Sequence, residues 1–146
     1  MAEDVIDQAE MVSGVDQKRC ETETLQIRGW SRSVIPEANL RPYGADAASI
    51  RALGRSEKLH PALGLTAAEI VWHVREEMAR TVEDVLARRS RSLLLNARAS
   101  IEVAPQVAEI MAKELGRDAS WTSAQIAAYE KLARGYVFGD PSSVVG

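Results

Sequence analysis

The chain has 146 residues and a formal net charge of −3, with 46% hydrophobic and only 5% aromatic side chains. That length suits one domain. A core so poor in rings has to be built from Ala, Val, Leu and Ile, which favours helices packed through small side chains. The acidic balance argues against wholesale nucleic-acid binding, although it leaves room for a local basic patch. Cys20 is the sole cysteine, so no internal disulfide can form, and with only His60 and His73 beside it no thiolate zinc site can be assembled. A reducing, cytoplasmic setting is the default for such a chain. No apolar run approaches the roughly 20 residues of a membrane span, and "MAEDVIDQAE" carries neither the basic nor the apolar region of a signal peptide.

In chain order, Val5, Ile6, Ala9 and Val12 fall at helical spacing and Gly14 stands where a C-cap would. No N-cap residue precedes this helix, which is compatible either with a natural start led by Glu3 and Asp4 or with a longer helix cut at Met1. The helical period then disappears from Val15 to Ala45. "ETETLQIRGW" alternates weakly and is compatible with one short strand. "VIPEANLRPYGAD", with two prolines and a glycine, predicts an irregular connection that Trp30 and Tyr43 could pin down.

From Ala47 onward the pattern is helical. Ala47, Ile50 and Leu53 share one side of a short helix interrupted by Gly54, and "HPALGL" is a turn. Thr66 and Glu69 form a capping box ahead of the stripe Ala67, Ile70, Val71, Val74 and Met78. Thr81 and Asp84 form a second, weaker box. It allows either a break near Arg80 or one unbroken helix from Thr66 to Arg89, since the apolar register runs across the join. Leu93 to Leu95 are apolar all round and predict a buried point, and Asn96 could cap the following helix. Pro105 either kinks that helix or opens a new one. Gly116 closes it. A last helix follows, capped by Ser120 or Thr122, with Ile126, Tyr129 and Leu132 inward. The expected fold is all-α: a compact bundle of about five helices, preceded by an irregular linker and a detached N-terminal helix. The short loops favour antiparallel neighbours.

No glycine-rich phosphate loop, G-x-S-x-G or metal-ligand spacing is present, so no catalytic, cofactor-binding or metal-ligating residue is assigned. His73 falls on a polar flank of its helix and reads as a surface histidine. Arg88, Arg89 and Arg91 lie near a helix C-terminus, where the macrodipole favours cations, and Glu76 and Arg80 are spaced for an i,i+4 ion pair. This charged row is compatible with a solvated, ion-paired face or with a polar contact to another domain. Glu83 and Asp84, in the first turn of the only helix placed to enter a DNA groove, speak against DNA reading.

The run Glu77, Ala79, Thr81, Asp84, Arg88, Arg89 and Arg91 follows the pattern E-x-A-x-T-x-x-D-x-x-x-R-R-T-R, with Ser90 in place of the last Thr. Leu93 to Leu95, Asn96, Ala97, Pro105, Glu114 and Leu115 continue it, and Arg117 stands where an aromatic residue is usual. In these residues the chain resembles the C-terminal helical domain of FAD-dependent glycerol-3-phosphate dehydrogenases and the related α-glycerophosphate oxidases. The resemblance implies that residues 1–14 end the last helix of a flavin-binding domain missing here, 15–45 are a linker, 46–138 the helical domain and 139–146 a tail. It implies oxidation of sn-glycerol 3-phosphate to dihydroxyacetone phosphate by a parent protein that carries FAD and passes electrons to quinone, or to oxygen in the oxidases. The fragment itself would be inactive and free of cofactor. Its partners would be the missing flavin and substrate domains, reached through Thr81, Asp84, Arg88, Arg89 and Arg91, with no nucleic acid. Peripheral attachment of the parent to the cytoplasmic membrane and a homo-oligomer are both compatible with it. Two other readings of the chain remain open: a stand-alone helical interaction module and, less favoured by the acidic balance, a small nucleic-acid-binding regulator.

Overall fold

The computed structural model describes residues 2–16 and 18–139; the expected tail, beyond Gly139, lies outside them. Among the described residues six α-helices run in order: α1 (Ala2–Ser13), α2 (Ala47–Ala52), α3 (Ala67–Glu76), α4 (Ser92–Leu95), α5 (Ala97–Leu115) and α6 (Ala119–Arg134). A 3₁₀ segment, Arg41–Asp46, leads into α2, and a π-helical turn, Asp84–Arg89, precedes α4. The all-α reading holds, and α1 is detached: none of its residues is buried. Among the described residues there is no strand, only one isolated bridge between Lys58 and Thr66. "ETETLQIRGW" is therefore irregular chain.

The principal core forms where α5 packs between α3 and α6. Val103, Ala104, Val107, Ala108 and Met111 of α5 meet Ile70 and Val74 of α3 and Tyr129 and Ala133 of α6. The alanines let the helix backbones approach closely, the packing expected of a core with few aromatics. Tyr129 is fully buried and its hydroxyl donates to Ser100 Oγ at 2.9 Å, which removes the penalty of a dry phenol. Arg75 ties α3 to α5 on the surface through Glu114, at 2.8 Å. A second, smaller core places Leu40, Ala47 and Ile50 against Ala68 and Trp72, on the other side of α3. With cores on two sides, α3 is buried at every position from Ala68 to Val74.

The linker is docked at its second half. Gly29 (φ +81) and Gly44 (φ +53) both adopt left-handed backbone, and the Ala45 amide donates to the Gly29 carbonyl at 2.8 Å. Arg28 then bridges Asp46 and Glu76 at 3.2 and 2.9 Å, with its guanidinium over the Trp72 ring. Tyr43 is one of the two expected anchors; Trp30 is the other, but it is exposed and stacks only with Arg32.

Several helix ends differ from expectation. Both capping boxes form, and they divide Thr66–Arg89 into two helical stretches: α3 stops at Glu76 and the chain restarts after Thr81. Met78, expected in the apolar stripe, lies past that stop at φ +54, 75% exposed. Pro105 lies inside a single helix that Asn96 opens, so it does not begin a new one. Gly116 closes that helix at φ +63. Asp118, rather than Ser120 or Thr122, caps α6 by accepting from the Trp121 amide at 2.8 Å. Of the apolar run, Leu93 is buried, whereas Leu94 and Leu95 are 67% and 76% exposed.

Candidate functional site

The segment from Glu77 to Leu95 carries the residues that the sequence singles out. Asp84 Oδ2 accepts from the amides of Arg80 and Thr81 at 3.0 and 2.9 Å, and Thr81 Oγ1 accepts from the Asp84 amide at 3.1 Å. The Val82 amide is taken by Gln125 Oε1 of α6 at 3.1 Å. Four amides at a helix start, which would otherwise be orphaned, thus have acceptors. Burial alone would raise the Asp84 carboxyl, but the bonds from Arg80, Thr81 and Arg88 outweigh it and hold it below the ordinary aspartate range.

The arginines divide. Arg88 pairs with Glu83 and Asp84, each at 2.6 Å. Arg89 donates to the Glu77 carbonyl from Nε at 3.3 Å and from Nη2 at 2.8 Å, and lies 3.6 Å from the Glu77 carboxylate. Arg80 donates to the carbonyls of Val74 and Ala79 at 3.2 and 3.3 Å. It does not pair with Glu76, which Arg28 holds instead. Arg80 and Arg89 therefore act as the C-terminal cap of α3, satisfying carbonyls that the broken helix leaves open. Arg91 sits in left-handed backbone at φ +56, and its guanidinium has no hydrogen-bond or ion-pair partner among the described residues. Thr81, Asp84, Arg88 and Arg89 are thus brought together and satisfied within the chain, and Arg91 stands apart.

Sequence reasoning missed the buried polar cluster beside them. His73, expected on the surface, is fully buried. Its Nε2 lies 2.7 Å from Tyr43 Oη, and Tyr43 also donates to Glu69 Oε1 at 3.2 Å. Glu69 Oε2 accepts from Asn39 Nδ2, the Thr66 amide and Thr66 Oγ1, at 3.0, 3.0 and 2.8 Å. Burial, aided by the Arg89 charge, pushes the His73 imidazole down to about 4. It is neutral at pH 7, so the 3.8 Å approach of its Nε2 to the Glu77 carboxylate is not an ion pair. Burial of Tyr43, with the charges of Glu69 and Glu77, keeps its phenol protonated well above the ordinary tyrosine range. The signal available in the sequence was Tyr43 itself, an aromatic with a polar handle in an otherwise apolar-poor linker.

A half-open recess of about 340 Å³ lies over this cluster, lined among others by Pro42, Tyr43, His73, Arg89, Ser90 and Leu95. Among the described residues its one lining cation, Arg89, already serves the Glu77 carbonyl, and no strand–turn–helix there presents amides to a pyrophosphate. These residues do not fit a flavin. No group of three or more metal-ligating side chains occurs among the described residues, and no helix there is long and apolar enough to cross a membrane.

The family model for the C-terminal domain of alpha-glycerophosphate oxidase matches residues 9–124. The chain is 41% identical over 81 residues to a Caenorhabditis elegans protein named "Probable glycerol-3-phosphate dehydrogenase, mitochondrial", covering 56% of this chain and 10% of that protein. It is 31% identical over 104 residues to "Glycerol-3-phosphate dehydrogenase 1" of Mycobacterium tuberculosis (strain ATCC 25618 / H37Rv), covering 62% of this chain and 20% of that one. The chain thus spans about a tenth to a fifth of the length of the curated relatives it matches. No solved structure matches.

Proposed function

This chain belongs to the family of the C-terminal domain of alpha-glycerophosphate oxidase, and from that premise we propose that it is the accessory domain of a flavin-dependent glycerol-3-phosphate dehydrogenase, bracing the domains that do the chemistry. The observation that carries this reading is the family match over residues 9–124, together with relatives named as glycerol-3-phosphate dehydrogenases whose matched share is small. In the parent, sn-glycerol 3-phosphate would be oxidised to dihydroxyacetone phosphate in domains outside this chain, where a bound flavin would supply the two-electron acceptor chemistry and quinone would receive the electrons. This chain's residues fit a structural part in that: satisfied turns and a two-sided core. Residues 1–14 would end the last helix of the flavin domain. The parent would work in the cytoplasm or at the face of its membrane.

The test uses the Mycobacterium tuberculosis relative with the fifth that this chain matches removed. Glycerol-3-phosphate-dependent dye reduction and thermal stability should both drop, and both should recover in part when this chain is fused in its place. A truncated relative as stable and active as the intact protein would sink the proposal. The rival reading, a free-standing helical module, predicts no recovery when this chain is fused in place of the missing fifth.

A further inference from the structure

The charge on this chain is unevenly placed. Between Asp84 and Glu102 there is no acidic residue, while Arg88, Arg89, Arg91 and Arg98 all fall in that run. Arg88 and Arg89 are engaged within the chain, as described above. The Arg91 side chain has no partner among the described residues, while the amides of Leu94 and Leu95 both return to its carbonyl, at 3.0 and 3.1 Å. One turn of chain therefore presents an unpaired guanidinium and two leucines that are two-thirds or more exposed. Leu95, with Ser90 and Ser92 on either side of Arg91, also lines the recess over the His73 cluster.

The backbone supports the same face. Met78 and Arg91, at φ +54 and +56, bracket the segment, and neither is a glycine. Left-handed backbone at such residues is disfavoured, and strain of this kind concentrates at functional surfaces. The π-helical turn between them is also a rare form that clusters at such sites. Arg55 shows the same φ, +56, in an exposed loop, so positive φ by itself does not mark the face; adjacent exposed leucines beside a π-helical turn do.

We propose that Arg91, Leu94 and Leu95 form the face by which this domain docks on the remainder of its parent polypeptide, a partner surface that offers an apolar side chain to the recess beside Leu95 and a carboxylate to Arg91. The proposal rests on the accessory-domain reading. Charge complementarity fixes the chemistry of the occupant, because an unpaired guanidinium flanked by leucines is matched by an acid set in apolar surroundings. The four-fifths or more of each relative that this chain does not match supplies the polypeptide for it. The face moves away from the charged row Thr81, Asp84, Arg88 and Arg89, which the chain satisfies by itself.

The experiment measures binding of this chain, by calorimetry, to the Mycobacterium tuberculosis relative lacking the fifth that it matches. Three forms are compared: the natural chain, the triple variant Arg91→Glu, Leu94→Ser, Leu95→Ser, and Arg117→Glu as a charge-matched control at the far end of α5. All three substituted side chains of the face are exposed, so circular dichroism and melting of the triple variant should match the natural chain. The expected result is saturable binding by the natural chain and the control, weakened at least tenfold in the triple variant. Equal binding by all three would overturn this face and leave the accessory role standing. No binding by the natural chain would overturn both. Face-dependent self-association of the natural chain, or face-dependent binding to anionic vesicles in place of the polypeptide, would assign the surface to a different partner and overturn the proposal.

Discussion

Tyr43 Oη lies 2.7 Å from His73 Nε2, and through this contact the linker reaches the most enclosed helix of the bundle. The phenol has one proton, which goes to Glu69 Oε1. The imidazole must then donate from Nε2, which leaves Nδ1 as a bare acceptor; it is buried with no partner among the described residues. A bare lone pair is a cheaper orphan than a stranded N–H. Tyr43→Phe would remove the relay atom and strand both His73 Nε2–H and Glu69 Oε1. The expected loss is about 1–3 kcal/mol, the usual cost of leaving buried polar groups unpaired. Urea unfolding followed by far-ultraviolet dichroism measures it, and a loss under about 0.5 kcal/mol would show that the contact does not contribute.

His73 also gives the fold a pH dependence whose sign is fixed. Its folded value, about 4, lies below the unfolded 6.5, so the unfolded chain binds the proton first. Stability from this group is full above pH 6.5 and is lost as pH falls towards 4, by about 3 kcal/mol over the window. Glu77, raised by burial, acts in the opposite sense and reduces the net slope. Asp84, held low, adds its loss only below the ordinary aspartate value of 3.8. Melting temperature should therefore fall between about pH 6.5 and 4.5. In His73→Gln the fall should flatten or reverse, and an unchanged slope in that variant would locate the titration elsewhere.

Gly44 makes a local prediction with its own control. A Cβ there would stand 1.8 Å from the Gly29 carbonyl oxygen, at a φ of +53 that a side chain already disfavours. Gly54 shares the positive φ, +67, but has open space around it. Gly54→Ala should cost about 1 kcal/mol from backbone alone. Gly44→Ala should cost more and release the linker, because Ala45 N–H to Gly29 O is the bond that closes it. Hydrogen exchange at the Ala45 amide reads this directly: fast in Gly44→Ala, slow in Gly54→Ala.

These elements show what the sequence could carry. Caps are local, so Thr66–Glu69, Thr81–Asp84, Asn96 and Gly116 were legible from spacing alone. The burial of His73 was not. Periodicity marks the face of α3 that meets α5, but a linker 30 residues upstream covers the opposite flank, and no repeat in α3 encodes that. Leu94 and Leu95 failed in the other direction. Their composition predicts a core, but Arg91 in left-handed backbone and the break at Asn96 turn α4 so that, of its three leucines, only Leu93 faces inward. The arginines were legible as a cluster, but the division of labour among them depends on where α3 breaks, which sets the carbonyls that Arg80 and Arg89 meet.

That division is testable in the isolated chain. Arg89→Ala would open the Glu77 carbonyl at the frayed end of α3 and remove a cation from a helix C-terminus. Since the guanidinium is a third exposed, water repays part of the loss, and the expected cost is about 1 kcal/mol. Arg91→Ala removes a side chain without a partner among the described residues and should leave stability unchanged within about 0.5 kcal/mol. Arg91→Gly should raise it by about 0.5–1 kcal/mol, because glycine accepts the φ of +56 that arginine tolerates at a cost. The expected order of stability thus puts Arg91→Gly above the natural chain, Arg91→Ala level with it and Arg89→Ala below. Were Arg91→Ala as costly as Arg89→Ala, Arg91 would be structural, and the separation between a capping arginine and a docking one would collapse. Calorimetric melting of the three variants beside the natural chain decides it.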